Sequence, residues 1–66
     1  MLTINLKVGT YVEIKKFEYV CYESGKMLNK ADFDKFTLQP NLTYNFQGEN
    51  YVSILGSEIM FLELNN

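Results

Sequence analysis

Leu2, Ile4, Leu6 and Val8 alternate with Thr3, Asn5 and Lys7, and the alternation stops at Gly9-Thr10. A period of two puts all four apolar side chains on one face of a strand, and the glycine beyond them ends that strand in a turn. The same grammar runs through the chain. Gly9, Gly25, Gly48 and Gly56 stand singly between runs rich in β-branched and aromatic residues, and they never gather into a phosphate-cradling loop. Such a chain is confined to short strands joined by turns.

The second run, Tyr11 to Glu23, changes phase partway. Val12 and Ile14 occupy even positions, whereas Phe17, Tyr19 and Cys21 occupy odd ones, and the slip falls at Lys15-Lys16. A one-residue slip sends later side chains to the opposite face, so the spacing predicts a β-bulge or a tight turn there. Val20 and Tyr22 keep the even phase, which predicts cover on both faces. Ser24-Gly25-Lys26 reads as a turn, and Asn29 to Phe36 holds the one plausible helical turn, with Phe33 and Phe36 spaced to anchor it on the sheet. Thr37 to Asn41, with Pro40, reads as an ordered connector.

Leu42, Tyr44 and Phe46 then mark a strand, Gln47 to Asn50 a loop, and Tyr51 to Leu55 another strand. Gly56-Ser57 reads as a hairpin turn opening on glycine. The last strand, Glu58 to Leu64, is expected to set Met60, Leu62 and Leu64 on one face and Ile59 and Phe61 on the other, in a central position or at a dimer contact. These elements predict a mostly β fold, with residues 1–66 forming a single small β domain. The architecture expected is a five-stranded antiparallel barrel or bent sheet of SH3-like or Sm-like size, strands in successive hairpins, with one short helical insert.

A chain of 66 residues buries only about 60% of its unfolded surface, so its core must be rich. Hydrophobic residues make up 47% of it, enough to form a core without disulfide or metal, or with help from a second copy. Cys21 is the sole cysteine and histidine is absent, which excludes an intrachain disulfide and ordinary zinc sites. Cys21 also lacks the usual base for nucleophilic catalysis and is expected to be a buried structural thiol. Asp32 and Asp34 flank Phe33 and read as capping or solvated residues better than as an acid–base pair. No catalytic, metal-binding or cofactor-binding residue is assigned, and the chain is not expected to be an enzyme.

The N-terminus lacks the apolar run of a signal peptide, and no segment approaches the roughly 20 apolar residues of a membrane span. A cytoplasmic location is expected. All six basic residues are lysines, including Lys7, Lys15 and Lys16; arginine, the best reader of bases and phosphates, is missing. The abundance of Asn, Lys, Ile, Tyr and Phe points to an AT-rich genome, a bias common in phages, plasmids and low-GC bacteria.

The opening Met1-Leu2-Thr3-Ile4-Asn5-Leu6-Lys7-Val8-Gly9, followed by Val12 and Ile14, resembles the start of carbon storage regulator proteins over residues 1–14. The resemblance implies an RNA-binding dimer with interleaved strands. This chain departs from the family at Leu6, where the family has an RNA-contacting arginine, and no later arginine supplies its second contact.

The function expected is a non-enzymatic protein-interaction module, an inhibitor or accessory protein that sterically blocks a host protein. Tyr11, Tyr19, Tyr44 and Tyr51, with Lys15 and Lys16, are its candidate interface, and homodimerisation is expected from the unpaired edges of a small sheet. The alternative is a small RNA- or single-stranded-DNA-binding barrel that uses Lys7, Lys15 and Lys16 beside aromatics.

Overall fold

The computed structural model describes residues 1–65. Its seven strands are β1 (Leu2–Leu6), β2 (Tyr11–Ile14), β3 (Tyr19–Tyr22), β4 (Lys26–Asn29), β5 (Thr43–Gln47), β6 (Tyr51–Leu55) and β7 (Ile59–Leu64). They form two antiparallel sheets, a three-stranded one in the order β2-β1-β7 and a four-stranded one in the order β4-β3-β5-β6. Among the described residues no strand ladder joins the two sheets, so the expected barrel is not closed.

The alternation at the N-terminus becomes β1, which ends at Leu6 because the chain turns there. The Leu6 N–H donates to the Thr10 carbonyl and the Gly9 N–H to the Leu6 carbonyl, leaving Val8 82% exposed outside the strand. β1 is central: Leu2 faces Ile14 of β2 on one side and Leu64 of β7 on the other. Both of its edges are therefore filled by its own chain, unlike the interleaved pairing that the N-terminal resemblance implies.

The phase slip at Lys15-Lys16 is where the chain leaves one sheet for the other. Lys16 takes a left-handed conformation (φ 55°), β2 ends at Ile14, and β3 begins in the second sheet at Tyr19. One expected strand is thus two, separated by a tight turn. β4 is a further addition: Lys-Met-Leu-Asn has no alternation of its own and forms because a tight turn through Glu23 and Gly25 folds it back on β3, Tyr22 opposite Lys26. The helical insert, Lys30–Lys35, is a 310 segment interrupted at Asp32. At this length few backbone groups are paired, and side-chain packing must hold it.

Leu2, Ile4, Ile14 and Ile59 from the first sheet meet Val20, Tyr44 and Phe46 from the second, with buried Phe17 on the crossing turn. Five aromatics close a circuit through this core and the 310 segment: Phe17–Phe33 at 5.3 Å, Phe33–Phe36 at 5.2 Å, Phe36–Tyr44 at 5.2 Å, Tyr44–Phe46 at 6.4 Å and Phe46–Phe17 at 6.3 Å. Each such pair adds about 0.5–1.5 kcal/mol beyond burial. Phe33 and Phe36 therefore do anchor the insert.

Tyr44 is fully buried, so it belongs to the core and not to the interface expected of it. Its hydroxyl accepts the Gln39 N–H at 2.8 Å and lies 3.5 Å from the Thr37 carbonyl oxygen, to which it donates. This fixes the connector. Its far end is held by Gly56 N–H to the Leu42 carbonyl at 2.7 Å and Ser57 N–H to the Pro40 carbonyl at 3.0 Å. Gly56 opens a second 310 segment, Gly56–Glu58, which carries the chain from β6 into β7 in the other sheet. The expected β6–β7 hairpin is therefore a crossover.

A Cβ at Gly56 would lie 2.1 Å from the Gln39 carbonyl oxygen and 3.0 Å from the Tyr44 ring. Gly56→Ala should cost about 3 kcal/mol, most of the stability of so small a fold. Gly25, with φ 85° but open space around it, serves as the control; its replacement by Ala should cost only about 1 kcal/mol. Urea denaturation of the two variants checks the order. In the same assay Tyr44→Phe should lose about 1–2 kcal/mol, because the Gln39 N–H is left without its acceptor.

Candidate interaction surfaces

Register sorts the side chains of the four-stranded sheet into two faces. Val20, Tyr44 and Phe46 point inward with Leu28, Val52, Tyr22 and Ile54 of their rows, and Lys26 at the end of the Tyr22 row stays exposed. On the outer face one row runs Asn29, Tyr19, Gln47, Tyr51 and the next Met27, Cys21, Asn45, Ser53, with Thr43 and Leu55 paired beyond. None of these residues is charged. The face is cross-linked by the Ser53 hydroxyl, which donates to Asn45 Oδ1 at 2.6 Å. Tyr51 is 61% exposed at one end of the first row, and Tyr19 is half-buried within it.

Charged groups stand around this face. Glu18 and Lys30 adjoin the Tyr19 row, where Glu18 N–H donates to the Gln47 carbonyl and Lys30 N–H to the Glu18 carbonyl. Lys15 and Lys16 lie exposed beside Glu49, whose N–H donates to the Lys15 carbonyl. At the β3–β4 turn the Lys26 ammonium sits 2.9 Å from the Glu23 carboxylate. That hydrogen bond and the opposite charge raise the Lys26 pKa above its ordinary value.

Of the residues expected at an interface, the sheet thus brings Tyr19 and Tyr51 onto one face and sets Lys15 and Lys16 at its border. Tyr11, 60% exposed, lies elsewhere, opposite Asn5 on β2. Tyr44 lies inside. Phe17, the aromatic beside Lys15-Lys16, is also buried and cannot stack on a base. The residues missed by sequence reasoning are the polar partners: Asn45, Gln47 and Ser53 share the odd phase of Tyr51, a parity that could have grouped them.

Cys21 is half-buried on this outer face, not a core thiol. Asp32 and Asp34 lie on the exposed 310 segment, Asp32 Oδ1 3.9 Å from the Lys35 ammonium. Among the described residues no three His, Cys, Asp or Glu side chains gather into a metal-binding group.

A second surface lies at β7, which is an edge strand and not a central one. A register shift opposite Asn5 and Leu6 leaves Met60 as a bulge residue, so Leu6 faces Ile59 while Asn5 faces Phe61. Ile59 and Phe61 consequently fall on different sides: Ile59 is buried and Phe61 is 46% exposed. Met60, Phe61 and Leu62 line an open groove of about 350 Å³ with Phe33, Phe36 and Leu38.

No family profile, no curated protein and no solved structure matches this chain. Among the described residues no helix is long and apolar enough to cross a membrane.

The position of Cys21 has a direct readout. Maleimide labelling of the native protein should proceed within about a hundredfold of the rate in urea. A thiol reached only by global unfolding would be slowed at least about a thousandfold in a domain stable by some 5 kcal/mol.

Proposed function

We propose that this protein is a non-enzymatic interaction module that docks the outer face of its four-stranded sheet on a partner protein and works by covering that partner's surface. The observation that carries the reading is the absence of charge across Tyr19, Cys21, Asn45, Gln47, Tyr51 and Ser53, with charges of both signs standing beside the face. Protein interfaces have this anatomy: a centre depleted of charge and enriched in Tyr and Met, surrounded by a polar rim. Tyrosine brings a large contact area at low entropic cost, and neighbouring Asn, Gln and Ser supply adaptable hydrogen bonds.

A steric role needs no reacting group. It suits an inhibitor or accessory protein of a host, the kind of small factor that phages and mobile elements encode. Oligonucleotide binding is less favoured, because a strand-binding groove needs cations along its length and open aromatics between them. Here Lys15 and Lys16 stand at one border beside Glu49, and Phe17 is inside the core.

The test is capture from a lysate of the native host by wild-type protein and by Ser53→Lys, a substitution at an exposed position. A charge set into the face should weaken capture of a specific protein by about tenfold or more, while the fold persists with a stability loss of no more than about 1 kcal/mol from the Ser53–Asn45 bond. Capture undiminished by Ser53→Lys would overturn the reading. So would retention of labelled single-stranded RNA or DNA that declines steadily with added salt.

A further inference from the structure

The edge of β7 is open in a way the other surface is not. Asn65 N–H donates to the Met1 carbonyl and the Met1 ammonium to the Asn65 carbonyl, so residues 1 and 65 form a bonded pair at the end of the ladder. In an antiparallel ladder bonded and non-bonded pairs alternate. Thr3–Glu63 and Asn5–Phe61 are then the next bonded pairs, and Leu2–Leu64 and Ile4–Leu62 the non-bonded ones. The backbone N–H and C=O groups of Leu62 and Leu64 therefore point away from β1, toward the free edge.

Apolar side chains flank that edge. Met60, Phe61 and Leu62 meet Phe33, Phe36 and Leu38 across the groove, and neither Lys nor Pro blocks the strand between Ile59 and Leu62. Soluble proteins usually protect an edge of this kind with such residues. Acidic residues stand along the sequence of both walls instead: Asp32 and Asp34 on either side of Phe33, and Glu58 and Glu63 beyond the two ends of the Ile59–Leu62 stretch. Lys35 stands 3.9 Å from Asp32, Lys30 opens the same segment and the Lys7 N–H donates to the Glu58 carbonyl, but among the described residues no lysine ammonium forms an ion pair with Asp34, Glu58 or Glu63.

We propose that this groove binds an extended, lysine- or arginine-bearing apolar segment of another protein, which adds to β7 as a fourth strand of the three-stranded sheet. Main-chain bonds to Leu62 and Leu64 would hold the segment. Its inward side chains would fill the groove over Phe33 and Phe36. On the outer face, the cation of a basic side chain would stand opposite Glu63 as a cross-strand pair. A second copy of the chain is the poorer occupant, because the antiparallel register that joins Leu62 to Leu64 of the copy, and so uses both outward-facing residues, sets Glu63 directly against Glu63. The site is separate from the uncharged face, so either assignment can fail alone.

The probes are two eight-residue peptides, one alternating Val with Lys and one alternating Val with Glu, added to 15N-labelled protein. With the Val/Lys peptide, amide exchange at Leu62 and Leu64 should slow about tenfold or more, and Val/Glu should leave it unchanged. Met60→Lys, which adds a like charge at an exposed bulge position, should weaken binding about tenfold, whereas Ser53→Lys on the other face should not affect it. A double reversal, Glu58→Lys with Glu63→Lys, should transfer the preference to Val/Glu. The proposal falls if the Val/Lys peptide leaves Leu62 and Leu64 unprotected, if both peptides protect them equally, or if raising the protein concentration alone protects them through self-association.

Discussion

The Tyr44 hydroxyl is the contact on which the rest of the structure leans. Two short sheets with no shared ladder must be joined by side chains and by the two crossings, β2 to β3 and β6 to β7; against the second crossing lies the longest irregular segment, from Phe36 to Leu42, which leads from the 310 segment into β5. Its backbone groups need partners from outside. Tyr44 accepts the Gln39 N–H from within the core, while its ring packs edge-on to Phe36. Phe36 stacks on Phe33, and Phe33 touches Phe17 at the crossing between the sheets. One phenol thus couples the connector, the 310 segment and both sheets. Gly56 is the complementary constraint, since only the absence of a Cβ lets the β6–β7 crossover lie against the Gln39 carbonyl.

Parity was the legible part of the fold, and it was most legible where one strand faced one core. Leu2, Ile4 and Leu6 announce β1 and its buried face directly. Tyr44 could have been placed by the same rule, since it shares its phase with Phe46 while Thr43, Asn45 and Gln47 alternate against it. Grouping Tyr44 with Tyr11, Tyr19 and Tyr51 overrode that signal. The slip at Lys15-Lys16 was visible as a discontinuity, but nothing local says whether a discontinuity bends a strand or sends it into another sheet. That outcome depends on contacts distant in sequence, notably the Glu49 N–H with the Lys15 carbonyl. Strand β4 and the Met60 bulge were hidden for a related reason: pairing partners create them, not their own composition.

The candidate surfaces were less legible than the core because a surface is assembled across strands. Asn29, Tyr19, Gln47 and Tyr51 lie far apart in the chain and become neighbours only through two successive registers. Along the sequence the charges look evenly scattered. Folding sorts them: turns, the 310 segments and the three-stranded sheet take them all, apart from Lys26 at the start of β4, and leave the outer face of the other sheet without any. Parity groups the uncharged residues within each strand, and only the registers bring those groups together into one face.

The two surfaces also answer the hazard of a small open sheet in different ways. An uncharged face carrying Asn, Gln and Ser between its tyrosines keeps hydrogen-bonding groups in water when free, so its exposure costs little and its burial rewards only a partner that can match them. Along the β7 edge the stretch from Ile59 to Leu62 carries no such groups on its side chains. Its stretch from Ile59 to Leu62 would invite pairing with identical copies if composition alone governed it. Glu63 opposes that pairing, because the register that joins Leu62 to Leu64 of a copy sets it against itself, and the same charge leaves the edge open to a strand of the opposite sign. Selectivity at this edge therefore follows from the carboxylate of Glu63, placed just outside the apolar stretch, and the stretch itself supplies the adhesion.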